Sequence, residues 1–162
     1  GFIYVEYARS GRLNDPLTPD ESLFNNARKK GADFEVLQPQ SIIGSLRKIK
    51  SEAETDNLRT AISVTSKAHK EAMRSIKPGM TEYQLQAVIE HVFALNGARP
   101  GFNSIIASGQ NSVVLHWDEN SRTMQDGDMV VVDIGAEYEM YTADVTRTLP
   151  VNGRFTKRQK EI

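Results

Sequence analysis

Residues 127–150 of this chain read GDMVVVDIGAEYEMYTADVTRTLP. β-Branched residues are concentrated at positions 130–134 and 142–148, and such residues favour strands. The polar stretch between the two runs allows the chain to reverse its direction. The segment therefore predicts a β-hairpin.

The register of this hairpin decides which side chains meet. If Tyr138 and Glu139 form the tip, Glu137 faces Met140, and counting back along both strands places Asp133 directly opposite Asp144. Directly opposite residues share a face of the sheet, with Cβ atoms roughly 4.5 to 5.5 Å apart. A one-residue slip would send one carboxylate to the other face, so this prediction depends on the register.

Two carboxylates this close, among apolar neighbours, would repel each other and lose hydration if both stayed ionised. A shared proton, a cation such as Arg147, or one or two metal ions could compensate. The alternative is that Asp133 simply ends a strand and Asp144 is an ordinary solvated residue. Spacing alone leaves both interpretations open.

The overall composition excludes several classes of protein. The 162 residues suggest about one domain, and 20 Lys and Arg against 21 Asp and Glu give no sign of a nucleic-acid or anionic-membrane partner. Cysteine is absent, which excludes a disulfide scaffold and thiolate chemistry and agrees with a cytoplasmic location. No apolar run approaches the roughly 18 residues of a membrane span. The chain begins with Gly1, so we expect the natural N-terminus to lie outside it.

The first 48 residues predict a small section of strand, helix, strand and helix. We expect strands at 2–7 and 34–37, a helix at 21–30, and a second helix capped by Ser41. The second helix would turn its apolar side chains inward: Ile42, Ile43, Leu46 and Ile49. So short a section must pack on something else to be stable.

Two longer helices follow. Ser51 and Glu54 form a capping box before a helical apolar pattern that runs to Ile76, and Thr81 and Gln84 open the next helix, which ends near Gly97. We interpret the two histidines in these helices as structural or solvent-facing, because a lone helical histidine is seldom a ligand. They are His69 and His91.

After Pro100 the pattern changes to strands at 104–108 and 113–117, joined by a Gly-Gln-Asn turn. His116 would end the second strand, where a side chain can leave the core and reach a cleft. Taken alone, such a histidine is more often a hydrogen-bonding residue than a catalyst. A neutral imidazole there could also take part in general acid–base chemistry.

The segments VVDIGAEY (131–138) and YTADVTRTLPVNG (141–153) resemble the first metal-binding segment of the creatinase and aminopeptidase superfamily. These are the pita-bread metallopeptidases, which include Xaa-Pro aminopeptidase, prolidase and methionine aminopeptidase. Residues 46–54 resemble the junction between the N-terminal and catalytic domains of the aminopeptidase P and prolidase branch. The resemblance implies that residues 1–48 are the C-terminal part of an N-terminal domain and that 49–162 are the first half of the catalytic domain.

The resemblance also implies the site. Asp133 and Asp144 would be metal ligands, and His116, in the segment Leu115-His116-Trp117, would contact the substrate carbonyl or stabilise the tetrahedral intermediate. Two divalent ions are expected, most often Mn²⁺, with Co²⁺ or Zn²⁺ as alternatives. One His and two Glu ligands would lie beyond Ile162, so we expect residues 1–162 alone to be inactive. By strand parity Thr146 shares the face of Asp144, where its hydroxyl could orient a carboxylate.

The fold implied is α+β, with helices on one face of a curved, mostly antiparallel sheet and the site on the other face. The activity implied is release of the N-terminal residue from peptides with proline second, by attack of a metal-bound hydroxide, in a homo-oligomer. Prolidase and a non-catalytic binding module of the same fold are the alternatives, and a creatinase-like activity is a more distant one. One departure from the family is Met140, which stands where a small residue, often glycine, is expected.

Overall fold

The computed structural model describes residues 1–5 and 16–161. The chain divides into two compact units, residues 1–50 and residues 51–162. Within the described residues, no helix is both long and apolar enough to cross a membrane.

The first unit contains β1 (Phe2–Tyr4), α1 (Pro19–Lys29), β2 (Glu35–Leu37) and α2 (Gln40–Lys48). Strands β1 and β2 pair in parallel. Helix α1 begins at a capping box made by Thr18 and Glu21, and it buries Phe24 edge-on against Phe34 with ring centroids 6.2 Å apart. The order of elements follows the sequence prediction, although the predicted end of the first strand, at residues 6–7, lies outside the described residues.

The prediction for α2 is wrong in two respects. The helix begins at Gln40 with Pro39 as its N-cap, so Ser41 lies inside the first turn and does not cap the helix. Its apolar side chains are 43–78% exposed, namely those of Ile42, Ile43, Leu46 and Ile49. Helical periodicity identifies an apolar face, but burial of that face needs another element packed on it.

The second unit begins with two helices, α3 (Glu52–Ser75) and α4 (Glu82–Leu95). The capping box at Ser51 and Glu54 is formed as predicted, with both reciprocal hydrogen bonds present. At the start of α4, Gln84 Oε1 accepts a hydrogen bond from the backbone N–H of Thr81. The side chains that these helices bury recur at helical spacing: Ala61, Val64, Ala68 and Ala72 in α3, and Leu85, Ile89 and Phe93 in α4.

Six strands follow: β3 (Arg99–Pro100), β4 (Ile105–Ser108), β5 (Met129–Ile134), β6 (Ala136–Tyr138), β7 (Tyr141–Thr142) and β8 (Val145–Pro150). They form two antiparallel sheets, in the orders β3-β6-β7 and β4-β5-β8. Helices α3 and α4 share one core with the inward side chains of β4, β5 and β8. A short helix, α5 (Lys157–Lys160), follows. The predicted α+β class is therefore confirmed.

The predicted strand at 113–117 is wrong. Residues Gly109–Val113 form a 3-10 helix, and irregular backbone follows it. The side chains of Val113 and Leu115 are 86% and 89% exposed, so within the described structure a strand conformation would gain no packing contacts for these two side chains. Strand preference reflects how well side chains pack against neighbours, and these neighbours are missing.

The hairpin forms, but its tip is one residue further along than predicted. Glu139 and Met140 occupy the turn with φ values of 47° and 68°, as a two-residue type I′ turn requires. Tyr138 pairs with Tyr141, and the same register places Asp133 opposite Thr146 rather than opposite Asp144. The left-handed φ of Met140 is a conformation that glycine adopts without strain, which agrees with the small residue expected at this position.

Candidate metal centre

Strand β5 presents Asp133 on the face of the sheet that is turned away from the helices. Val130, Val132 and Ile134 are fully buried in the helix-packed core, and strand alternation sends Asp133 to the opposite face. Ile105 of β4 and Thr146 of β8 lie directly opposite it on the two neighbouring strands. The Oδ1 atom of Asp133 is buried and has no hydrogen-bond partner among the described residues. A buried, unpartnered carboxylate oxygen is costly and calls for a compensating cation or proton.

Asp144 lies in the break between β7 and β8, and its side chain is exposed. The observed register shifts its partner by two residues from the predicted one, and an even shift preserves the face of the sheet. Continuing the ladder would place Asp144 opposite Gly135, diagonal to Asp133. The predicted pair of acids is thus close in the hairpin but not directly opposed.

Gly135 makes the break between β5 and β6 possible. A Cβ built at this position overlaps the carbonyl oxygen of Ala143 and comes within 2.8 Å of the Phe102 ring. The carbonyl of Gly135 accepts a hydrogen bond from Gly101 N at 2.9 Å. Only glycine fits where three chain segments approach this closely.

Helix α3 holds the same break through two side chains one turn apart. Thr65 Oγ1 accepts a 2.9 Å hydrogen bond from Ala136 N, and His69 Nε2 lies 2.9 Å from the carbonyl oxygen of Val145. A carbonyl can only accept, so this contact makes Nε2 the protonated nitrogen of a neutral His69. Burial lowers the pKa of His69 below its ordinary value of 6.5. Thr65 was not predicted as a functional residue, because its i,i+4 spacing from His69 indicates only that the two side chains share a face of the helix.

Within the described structure, no hydrogen bond joins His116 to Asp133 or Asp144. It lies on the loop that follows the 3-10 helix, with an exposed side chain and a left-handed φ of 55°. Left-handed backbone at a residue other than glycine is uncommon and persists only where surrounding contacts impose it. The structure therefore brings Asp133 and Thr146 together, places Asp144 at the adjacent break, and leaves His116 on a separate loop.

A buried carboxylate that sequence analysis missed organises this loop. Glu82, the first residue of α4, is 0% exposed. Its Oε1 accepts hydrogen bonds from Ser108 N and Ser108 Oγ, both at 2.7 Å, and from Asn111 Nδ2 at 3.1 Å. Its Oε2 accepts from Trp117 Nε1 at 3.0 Å and from Arg122 N at 3.1 Å. Glu82 directly follows the predicted capping residue Thr81, and that position does not predict an inward-pointing side chain.

The pKa of Glu82 determines how this network responds to acid. Burial alone would raise the pKa, but the hydrogen bonds from Ser108, Arg122 and Trp117 hold it below the ordinary value of 4.5. A lowered pKa contributes stability that is present above the unfolded-state value and is lost as pH falls through the folded-state value.

We therefore expect Glu82→Gln to be less stable than the parent protein at pH 7 by about 2 kcal/mol, since several donors lose a charged acceptor. The difference between the two proteins should shrink as pH falls below 4.5, because protonation removes the same charge from the parent. Urea unfolding monitored by circular dichroism between pH 3 and 7 measures this difference. A gap that does not change with pH would contradict the prediction.

The donors present fit part of a divalent-metal site. Asp133 supplies a buried oxygen without a partner, and carboxylate oxygens suit hard or borderline divalent ions. Within residues 1–5 and 16–161, no three His, Cys, Asp or Glu side chains are grouped so that they could hold a metal ion. A complete site would need additional donors.

Comparison with known protein families gives one match over most of the second unit. The model of "Metallopeptidase family M24" matches residues 56–162. This range includes Asp133, Asp144, Thr146 and His116.

Comparison with curated proteins gives relatives of two kinds. The chain is 47% identical over 122 residues to an Xaa-Pro aminopeptidase of Escherichia coli K12, which covers 75% of this chain and 28% of that protein. It is 36% identical over 148 residues to an Xaa-Pro dipeptidase of Homo sapiens, which covers 88% of this chain and 30% of that protein. The chain thus spans less than a third of the length of these relatives.

Solved structures agree with this result. A variant of Escherichia coli aminopeptidase P in complex with substrate matches with a TM-score of 0.83 and 35% identity, covering 99% of this chain and 37% of that one. Proline aminopeptidase P II of Yersinia pestis matches with the same TM-score and identity, covering 98% and 37%. The predicted resemblance to this branch of pita-bread proteins is confirmed.

Proposed function

Because the chain belongs to metallopeptidase family M24, we propose that the full-length protein is a metal-dependent aminopeptidase. Its substrates would be peptides with proline in the second position, from which it releases the N-terminal residue. The observation that carries this proposal is the buried, unpartnered Oδ1 of Asp133 inside the segment that matches the family. An oxygen in that state calls for a cation or a proton, and a divalent cation bound there would also supply the Lewis acid that metal-dependent hydrolysis uses.

We assign Asp133 and Asp144 as protein ligands for two divalent ions, with Mn²⁺ as the preferred metal. Ions held there would supply Lewis-acid chemistry, by polarising the peptide carbonyl and lowering the pKa of water. Thr146, directly opposite Asp133, would fix the orientation of that carboxylate through its hydroxyl. The other ligands, a His and two Glu, would come from outside the described residues.

His116 is proposed to contact the carbonyl of the scissile bond or to support the charge that develops during its hydrolysis. Its exposed side chain is free to meet a substrate, and an imidazole can donate or accept a proton near neutral pH. In this proposal His116 acts on the substrate and is not a metal ligand.

The remaining expectations concern the whole protein. We propose that residues 1–48 belong to an N-terminal domain and that residues 49–162 form the first half of the catalytic domain. A cytoplasmic location and a homo-oligomeric state are proposed with them.

Prolidase activity is the second candidate, since the Homo sapiens relative that covers 88% of this chain is named a dipeptidase. The two activities differ in substrate length. Both would depend on the same aspartates.

We expect the full-length protein to cleave peptides of three or more residues with proline second, and to cleave Xaa-Pro dipeptides more slowly. Activity should be lost with a chelator and restored with Mn²⁺. Chromatographic analysis of products from Ala-Pro-Ala and Ala-Pro measures both rates. Faster cleavage of the dipeptide would favour prolidase, and no cleavage with any divalent ion would favour a binding module.

A further inference from the structure

The loop that carries His116 is held in place by hydrogen bonds to one buried carboxylate. Ser108 ends β4, Asn111 lies in the 3-10 helix, Trp117 follows His116, and Arg122 closes the loop. All four donate hydrogen bonds to Glu82. No other described carboxylate gathers donors from so many points of one loop.

The contact nearest to His116 is the hydrogen bond from the indole of Trp117. His116 holds a left-handed φ of 55°, a conformation that a free loop would leave. The 3.0 Å bond from Trp117 Nε1 to Glu82 Oε2 fixes the residue immediately after this strained position. Because Trp117 cannot move without breaking a charge-assisted bond, the backbone of His116 is restrained from its C-terminal side.

The far end of the loop is restrained by a second set of contacts. Arg122 N donates to Glu82, and the guanidinium of Arg122 bonds to Asp128 and to Ser108 Oγ. Asn120 accepts from Ile106 N and donates to the carbonyl of Ser104. His116 lies between these contacts and the 3-10 helix. Its side chain is exposed, whereas its backbone is restrained from both sides.

We infer that Glu82 is a positioning residue for hydrolysis, which holds His116 at the substrate through the indole of Trp117. The inference rests on the role proposed above for His116. Glu82 itself is fully buried and would touch neither substrate nor metal. Small errors in the placement of a catalytic group can cost up to about 100-fold in rate.

The test compares Glu82→Gln, Trp117→Phe and His116→Ala in the full-length protein. Glu82→Gln is expected to lower kcat about tenfold or more with little change in KM, and Trp117→Phe should do the same without removing the carboxylate. Glu82→Asp, which retains the charge, should recover part of the loss. Glu71→Gln is the matched control: it lies on the neighbouring helix α3, and within the described residues its carboxylate bonds to Arg74 and Ser75 of its own helix. It should leave kcat unchanged.

A double-mutant cycle separates positioning from general stability. If Glu82 acts through His116, adding Glu82→Gln to His116→Ala should lower kcat no further. Equal losses in both backgrounds would overturn the inference. Should His116→Ala itself keep full activity, the proposed role of His116 fails, and the inference that depends on it fails as well.

A readout independent of activity tests the anchor alone. Trp117 is the single tryptophan of these 162 residues, and comparison with Trp117→Phe identifies its indole N–H resonance in ¹H–¹⁵N spectra. That resonance should shift in Glu82→Gln and stay in place in Glu71→Gln. An unchanged indole resonance in Glu82→Gln would overturn the anchor even if the proposed hydrolysis is confirmed.

Discussion

Replacing Asp133 with alanine in the full-length protein is expected to lower hydrolysis of proline-containing peptides by more than about 100-fold. Loss of a residue that merely orients a metal ligand commonly costs 10- to 100-fold in metal affinity or activity, and loss of a ligand should cost more. The same change should not lower the stability of the metal-free protein, because it removes a buried oxygen that has no hydrogen-bond partner.

Thermal unfolding with and without Mn²⁺ measures the second half of this prediction. A metal that binds only the folded state raises the melting temperature, so the parent protein should be stabilised by added Mn²⁺ and Asp133→Ala should respond much less. Asp126→Ala is the matched control, since Asp126 lies in an exposed turn and, within the part of the chain that the structure describes, its side chain bonds to Asn152 alone. An active Asp133→Ala variant, or one stabilised by Mn²⁺ like the parent, would refute the metal assignment.

Local sequence determined the existence of the hairpin but not its register. Dense β-branched runs on either side of a polar stretch were enough to predict two strands. The register depended on which residue pair could adopt left-handed backbone at the tip, and Met140 does so without being glycine. The expectation of a small residue, often glycine, at position 140 was the available signal for the observed turn. The strand partner of Asp133 differs from the predicted partner by two residues. Because an even shift preserves the face of the sheet, the face of Asp133 was still predicted correctly.

The loop around His116 could not be predicted from its own residues. The apolar run from Val113 to Leu115 indicates a strand when read locally, yet the conformation is set by Glu82, some 30 positions earlier in the chain. A carboxylate in the first turn of a helix is normally explained by the helix dipole. Only the three-dimensional structure shows that the side chain of Glu82 points inward and accepts hydrogen bonds from four residues of a distant segment.

The helix contacts at the break in the hairpin were missed for a related reason. Thr65 and His69 are unremarkable polar residues within an apolar pattern, and periodicity alone assigns them no partner. Their partners, Ala136 N and the Val145 carbonyl, exist because the strand ladder is interrupted at Gly135. The break in the sheet and its support from α3 are therefore one feature, and Gly135 is the residue on which it depends.

Gly135→Ala is accordingly expected to destabilise the protein by about 3 kcal/mol, since the new methyl group would overlap the Ala143 carbonyl and crowd Phe102. Backbone atoms cannot rotate away as a flexible side chain can, so the two strand segments must separate. Urea denaturation of the full-length protein measures the loss, and Gly44→Ala serves as the control. No atom lies within 4 Å of a Cβ at Gly44, inside α2, and alanine there should be neutral or stabilising by up to about 1 kcal/mol.

The same substitution should also weaken metal binding in the molecules that remain folded. Asp133 precedes the break by two residues and Asp144 follows Ala143 directly, so moving these segments apart moves the two carboxylates apart. Calorimetric titration with Mn²⁺ at a temperature where Gly135→Ala is folded should show a loss of affinity of about tenfold or more, the range expected when a ligand loses its orientation. A folded variant with parental affinity would show that the spacing of the two aspartates does not depend on the close approach at Gly135.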